Sequence, residues 1–338
     1  MSTLGVLVVG AGRAGLVHAR NLAGGIPGAR LVGVADPAEE ARVRAAEELA
    51  CEQFADPLAA LSDERVAAVV IATPTFTHAE LAVAALREGK HVLCEKPLAS
   101  SVEEGRAIER ALDQSGNVFM MAFMRRFDAG FRRAHELIGQ GAIGQPLYVR
   151  STTRGPGLPP PWAWDVARSG GLIAEVNSHD IDTVRWLTGC EYVTVRALGR
   201  AAKRPDIAAE HPGFVDVLAV QASLDEGVIA HIDGACPADY GYDARAEVYG
   251  TQGMLLVGSP SEGPLVVTRE HARRDTIHGW AHLFADAYRA EDSHFVAACL
   301  GRQPARTDLT DGLRALEVVA AVNRSLGEDR EVRLAELR

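Results

Sequence analysis

The sequence predicts an α/β protein in two parts: an N-terminal doubly wound parallel sheet, then an α+β domain with a large, mostly antiparallel, open-faced sheet. Three observations predict it. An apolar run, Leu4 to Val9, passes directly into Gly10-Ala11-Gly12-Arg13-Ala14-Gly15 and then into a helical stretch. Continuous apolar runs such as Ala67 to Ala72 recur between helical stretches, as buried parallel strands do. From about Arg150 the texture changes to alternating, strand-like runs. A chain of 338 residues is long enough for two cores. The division is placed at 1–123 and 124–338.

The first strand, turn and helix (to about Ala23) meet the strand–turn–helix condition for a dinucleotide-binding glycine motif. Gly10 makes the tight turn, Gly12 lets backbone approach a pyrophosphate, and Gly15 allows close helix–strand packing. The helix N-terminus adds N–H groups and partial positive charge for phosphates. A second strand, Leu31 to Ala35, ends in Asp36, an acid placed to accept from ribose hydroxyls and to repel a 2′-phosphate. No arginine immediately follows Asp36, which favours NAD over NADP. The Ala67–Ala72 strand ends in Thr73-Pro74-Thr75, and His78 opens a helix to about Glu88. His91 to Cys94 is a further strand, ending in Glu95-Lys96-Pro97. A helix follows from about Ser101 to Gln114, then a strand from Val118 to Met121. Ligands of such sheets lie at the carboxyl ends of the strands, where Asp36, Thr73 and Lys96 fall.

In the second part, strand-like runs are read at Leu147–Thr153, Tyr192–Gly199, Phe214–Ser223, Val228–Gly234, Ala244–Tyr249 and Met254–Gly258. Helices are read at Leu172–Leu187, Trp280–Leu300 and Leu309–Ser325. Along Leu172–Leu187, at ~100° per residue, Glu175, His179, Asp182 and Trp186 share one stripe, while Ile181, Val184 and Leu187 form the core stripe. An acid one turn before a histidine fixes its tautomer and raises its basicity. Asp180 is read as structural; Asp182 is open between substrate binding and a salt bridge with Arg185. Val215, Val217 and Ala219 alternate, as do Val228, Ala230 and Ile232, giving the strands one apolar side.

Composition bounds the partners. Hydrophobic residues make up 47% and charged residues 24%, and the net charge is −10. An acidic surface attracts neither nucleic acid nor an anionic membrane. Cys51, Cys94, Cys190, Cys236 and Cys299 are odd in number, widely spaced and form no CxxC pair, which fits reduced thiols in the cytoplasm. The start has no signal-peptide pattern, and no apolar run reaches ~18 residues. His231, His271 and His278 lack metal-ligand spacing, so no metal site is read.

Glu95-Lys96-Pro97 after a buried strand, in a chain opening with the glycine motif, resembles the glucose–fructose oxidoreductase/inositol dehydrogenase (Gfo/Idh/MocA) family. Phe123-Met124-Arg125-Arg126-Phe127-Asp128, the Gly170-Gly171…His179-Asp180-Ile181-Asp182 segment, Tyr240-Gly241-Tyr242-Asp243 and Asp286-Ala287-Tyr288 extend the likeness over essentially the whole chain. The Phe123–Asp128 and Tyr240–Asp243 segments resemble the inositol dehydrogenase branch in particular. The resemblance implies an NAD-dependent dehydrogenase of a cyclic polyol, with Lys96 and His179 facing the nicotinamide and the substrate hydroxyl. It implies a cis Lys96–Pro97 bond, and cofactor contacts from Gly10, Gly12, Arg13, Ala14, Gly15, Asp36, Thr73, Pro74, His78, Glu95, Lys96 and Arg125. It implies substrate contacts from Lys96, Met124, Arg125, Glu175, His179 and Tyr240, and a second subunit, as homodimer or homotetramer, on the open sheet face. Trp164, in a Pro-rich loop, is a candidate to stack on the substrate ring. The family's usual acid before the histidine is aspartate; Glu175 departs from it and puts the substrate in question.

Two splits of the proton chemistry stay open: His179 as base with Lys96 stabilising the alkoxide, or Lys96 as base if burial lowers its pKa. Three functions stay open as well: a cyclic polyol dehydrogenase, a sugar or glycoside dehydrogenase or ketosugar reductase, and a non-catalytic NAD-sensing regulator.

Overall fold

The computed structural model describes residues 3–259, 261–267 and 272–337. In the first compact unit, six strands form β1 (Leu4–Val9), β2 (Ala29–Ala35), β3 (Glu52–Phe54), β4 (Ala68–Ile71), β5 (His91–Glu95) and β6 (Phe119–Ala122). Their order is β3-β2-β1-β4-β5-β6, and all pairs are parallel. The order reverses between β1 and β4, the switch point where ligands of such sheets bind. β1, β4 and β6 are buried at every residue, which is why they read as unbroken apolar runs.

Helices Arg13–Ala23, Glu39–Leu49, His78–Arg87 and Val102–Ser115 connect these strands. Ser101 caps the last of them: its Oγ accepts from Glu104 N at 3.2 Å, and the Glu104 carboxylate reaches back to Ser100 N at 2.9 Å. The short β3 and the Glu39–Leu49 helix are additions to the elements the sequence predicts.

The unit comprises Met1–Phe127 together with Ala285–Leu316, so the partition is discontinuous where the sequence places a single cut after residue 123. The physical cause is visible in the Ala285–Cys299 helix. Its Asp292 bonds His18 and Asn21 of the first helix, and Thr307 Oγ1 donates to the Met121 carbonyl at 2.6 Å. The helix expected over Trp280–Leu300 is two helices, Trp280–Leu283 and Ala285–Cys299.

The second unit, Asp128–Phe284 and Glu317–Arg338, holds β7 (Pro146–Arg154), β8 (Tyr192–Arg200), β9 (Val217–Leu224), β10 (Ile229–Ala235), β11 (Asp243–Gly250), β12 (Met254–Val257) and β15 (Val332–Arg333). Their order is β12-β11-β7-β10-β9-β8-β15, antiparallel except for β7 and β10. β13 (Ser261–Val267) and β14 (Ala272–Thr276) form a separate antiparallel pair.

The alternation is clear on β9, where Leu218, Val220, Ala222 and Leu224 are buried while Val217 and Gln221 are exposed. Ala230 and Ile232 lie opposite Ala222 and Val220, on the buried side. Val217 and Ala219 lie opposite Ala235 and Asp233, on the outer side. The two apolar series thus face opposite ways, correcting the single apolar side read from their spacing. The outer face instead centres on Asp233, which accepts from Thr152 Oγ1 (2.7 Å), Arg154 Nε (2.8 Å) and an Arg150 guanidinium nitrogen (3.2 Å).

Candidate active site

In the first unit the strand ends gather the predicted cofactor residues. Gly10 takes φ +105°, where L side chains are strained, and a Cβ there would run into the Ala72 carbonyl. A Cβ on Gly15 would strike the Gly10 carbonyl, whereas one on Gly12 meets nothing within 4 Å. The Arg13–Ala23 helix therefore starts at a glycine that leaves open space before it. It has no side-chain cap and no acid in its first turn, so its N–H groups remain for an anion. Arg13 is exposed and Ala14 half-buried at that start.

Asp36, just past β2, is held by two backbone N–H groups: Ala11 N to Oδ2 and Ala38 N to Oδ1, both 2.8 Å. The carboxylate is tied to the glycine turn itself. A pyrophosphate at the helix start and a ribose diol at Asp36 fit this cradle. Thr73 and Pro74 follow β4, half-buried.

Glu95 closes β5, and the Lys96–Pro97 bond is cis, as the resemblance implies. Lys96 is half-buried, and its backbone N–H donates to Glu95 Oε2 at 3.0 Å. The other Glu95 oxygen lies 3.3 Å from His18 Nε2, and His18 Nδ1 lies 2.6 Å from Asp292 Oδ1. Asn21 Nδ2 donates to the second Asp292 oxygen at 2.8 Å, and Tyr288 meets the His18 ring edge-on at 5.4 Å. Burial opposes charge on His18, but the two carboxylates outweigh it and hold its pKa well above the ordinary value. Burial likewise works against ionised Glu95, yet His18 and Lys96 keep its carboxyl below the ordinary range.

His78 is turned into the protein. Its Nδ1 lies 2.8 Å from the Pro97 carbonyl and its Nε2 2.9 Å from the Thr73 carbonyl. Burial lowers its pKa, so the ring is neutral and donates through one nitrogen at a time. Both ring nitrogens thus face the backbone of the strand-end loops. Met124 and Arg125 lie in a short 3-10 turn, Met124–Phe127, and both are buried. Arg126 beside them bonds Asp311 at 2.8 Å.

The second unit holds the histidine segment, and there the expected continuous helix is broken. Gly171–Glu175 and Ser178–Thr188 are separate helices, with Val176 and Asn177 between them. Asn177 causes the break. Its side chain is buried against β10, donating to Asp180 Oδ2 (2.8 Å) and to the Asp233 carbonyl (3.1 Å), and a Cβ on Gly234 would collide with it. Glu175 and His179 therefore do not share one helical stripe.

His179 is buried in the first turn of its helix, and Thr183 Oγ1 donates to its carbonyl at 2.6 Å. Glu175 is half-buried at the end of the shorter helix, beside a small cavity lined by Val166, Phe214 and Cys236. Asp180 also accepts from Ser151 Oγ at 2.6 Å, which fits its structural reading. Arg185 pairs with Glu191 (2.9 Å).

Trp164 Nε1 donates to the Pro159 carbonyl (3.0 Å), and its ring meets His211 edge-on. Tyr240 is exposed on a cleft with Arg154, Lys203 and Asp239, its hydroxyl donating to Asp243 at 2.7 Å. His271 lies outside the described residues.

Sequence reasoning missed His18 and Asp292. The available signal was a histidine on the buried stripe Gly15, His18, Ala19, Leu22, where a polar ring needs partners.

Comparison with known proteins agrees with this geometry. Residues 4–123 match the model of an oxidoreductase family with an NAD-binding Rossmann fold, and residues 131–256 match the GFO/IDH/MocA C-terminal domain. The chain belongs to the Gfo/Idh/MocA oxidoreductase family. A scyllo-inositol 2-dehydrogenase (NAD(+)) of Bacillus subtilis is 36% identical, over 94% of this chain and 92% of that protein. A myo-inositol 2-dehydrogenase of Thermotoga maritima is 32% identical, over 98% of each chain. The structure of a Lactobacillus casei scyllo-inositol dehydrogenase with bound NAD(H) and scyllo-inositol superposes with a TM-score of 0.90 at 31% identity, covering 99% of this chain and 100% of that one. This member of the family is an NAD-dependent oxidoreductase, and its first unit is the Rossmann half. Among the described residues no helix is long and apolar enough to cross a membrane.

Proposed function

We propose that the protein oxidises a secondary hydroxyl of an inositol-like cyclic polyol. The observation that carries this is Lys96 at the carboxyl end of β5, in the same row of strand ends as the Gly10 turn and Asp36. Two inositol dehydrogenases at 36% and 32% identity support the substrate class.

The glycine turn and Asp36 would hold NAD, which would supply the acceptor for the hydride leaving the substrate carbon. The chain's own residues handle the proton and the charge. The Lys96 ammonium lowers the barrier by stabilising alkoxide character on the substrate oxygen. His179 accepts the hydroxyl proton, as an imidazole with near-neutral affinity does well. Glu175 is the proposed orienting acid, acting from a separate helix. The reverse split, Lys96 as base, is the competing assignment. Cofactor contacts are assigned to Gly10, Gly12, Arg13, Ala14, Gly15, Asp36, Thr73 and Pro74. Met124, Arg125, Trp164 and Tyr240 are substrate-side candidates.

A second reading, a sugar or glycoside dehydrogenase or ketosugar reductase, is favoured by Glu175 standing where the family usually has aspartate. We further propose a homo-oligomer through the outer sheet face, which exposes Ile229, Tyr249, Met254 and Leu256, and a cytoplasmic location, which the free thiols fit. A monomeric mass by light scattering would overturn the oligomer.

The test of function is NADH formation with myo-inositol, scyllo-inositol, D-glucose, D-xylose and glycosides. Turnover strongest with an inositol supports the proposal. Turnover with sugars or glycosides alone favours the second reading, and NAD binding without turnover of any alcohol or ketone favours a regulator.

A further inference from the structure

Lys96 is one residue from two backbone or side-chain oxygens that are each gripped by a buried histidine. On its N-terminal side, Glu95 is engaged by His18, which is itself locked to Asp292. On its C-terminal side, the Pro97 carbonyl is engaged by His78, whose other nitrogen faces the Thr73 carbonyl. His18 comes from the helix that starts at Gly12, and Thr73 from the loop after β4. His18 thus ties the Lys96 turn to the first helix of the nucleotide cradle, and His78, which opens the helix after the Thr73 loop, ties it to that element when its Nδ1 carries the proton. All of these groups belong to the first unit.

We propose that His18 and His78 are positioning residues for Lys96, holding the backbone on both sides of it so that its ammonium keeps a set place relative to the glycine turn and Asp36. The physical logic is local. Lys96 carries four rotatable side-chain bonds, and a fixed backbone sets the point from which they start. The Glu95 carboxylate that accepts the Lys96 N–H would otherwise be a buried anion free to reorient. His18 fixes it from one side, with Asp292 fixing His18. The role proposed for both histidines is positioning: they act through the backbone and the carboxylate on either side of Lys96.

The inference rests on the proposed role of Lys96, and its test has two independent readouts. The first is steady-state kinetics at saturating NAD, at a temperature where every variant is folded. His18→Asn and His78→Asn are expected to lower kcat by up to about a hundredfold, the scale of a 1 Å misplacement. KM for NAD should stay within about threefold, and the isotope effect from a substrate deuterated at the reacting carbon should rise. A His18→Asn/Glu95→Ala double variant is expected to be no slower than Glu95→Ala alone, because both act on one turn. If His18→Asn does not fold, His18→Asn/Asp292→Asn removes one of the two carboxylates left facing each other and takes its place.

The second readout needs no turnover. The chain has only three lysines, Lys90, Lys96 and Lys203. Reductive methylation with a carbon-13 label therefore yields three assignable lysine resonances. The proposal expects the Lys96 resonance alone to shift or narrow in the His18 and His78 variants. An unchanged Lys96 resonance, a uniform change in all three, or a multiplicative double variant would overturn it. A wild type that turns over no polyol, combined with a selective Lys96 shift, would sink the functional reading and leave the positioning role standing.

Discussion

The Lys96 turn and the His179 helix are both anchored by buried polar groups, but by different kinds of bond. Around Lys96 the anchor is ionic: an imidazolium, His18, lies between the carboxylates of Asp292 and Glu95. Around His179 it is a hydrogen-bonded cluster in which Asp180 receives the Ser151 hydroxyl and the Asn177 amide, and Asn177 also reaches the β10 backbone. A buried ion pair is costly to break from one side, because the remaining charge has nowhere to go. Removing a carboxylate that accepts from neutral donors leaves those donors unsatisfied but leaves no uncompensated charge. The Lys96 turn and the His179 helix, the two candidate site segments, are thus held by restraints of different kinds, one charged and one built on neutral donors.

Three variants measure that contrast. The largest effect belongs to the ionic anchor. His18→Asn, which leaves Glu95 and Asp292 facing each other, is expected to destabilise the protein by about 3–5 kcal/mol in chemical denaturation. Asp180→Ala leaves the Ser151 hydroxyl and the Asn177 amide without their acceptor and is expected to cost about 2–3 kcal/mol. Equal losses in the two variants would erase the distinction. The smallest effect concerns binding: Asp36→Ala is expected to weaken NAD by about tenfold, with little change in melting temperature.

The ionic anchor also sets a pH window. His18 has a folded pKa well above its ordinary 6.5. Its contribution is fully present below 6.5 and is lost as pH rises through the raised value. Glu95 is depressed below its ordinary 4.5, so its contribution is present above 4.5 and lost as pH falls through the folded value. The stability gap between wild type and His18→Asn should therefore be widest between those two ordinary values and narrow on either side. A gap that is flat from acid to alkaline pH would contradict a charged His18.

The same contrast explains what could be read from the residues alone. The strand ends were legible because topology places them: a parallel β1–β4 switch point puts Gly10, Asp36 and Lys96 on one edge, and Gly10 needs its positive φ. The ionic anchor was not legible, since His18 and Asp292 are 274 positions apart and meet only when the Ala285–Cys299 helix returns to the first unit. The His179 segment was half legible. Its buried face, Ile181, Val184 and Leu187, followed helical spacing. Its continuity did not, because Asn177 trades helical regularity for bonds to β10, a long-range gain that periodicity does not register.

The most direct test of the central claim, that Lys96 at the β5 end acts on the substrate hydroxyl beside an NAD cradle, is one pair of assays on wild type and Lys96→Met. NADH binding is followed by fluorescence, and turnover with the preferred inositol by NADH absorbance. The account predicts unchanged NADH affinity with turnover lowered by about 10³-fold. Turnover within a few-fold of wild type, with NADH affinity intact, would contradict it.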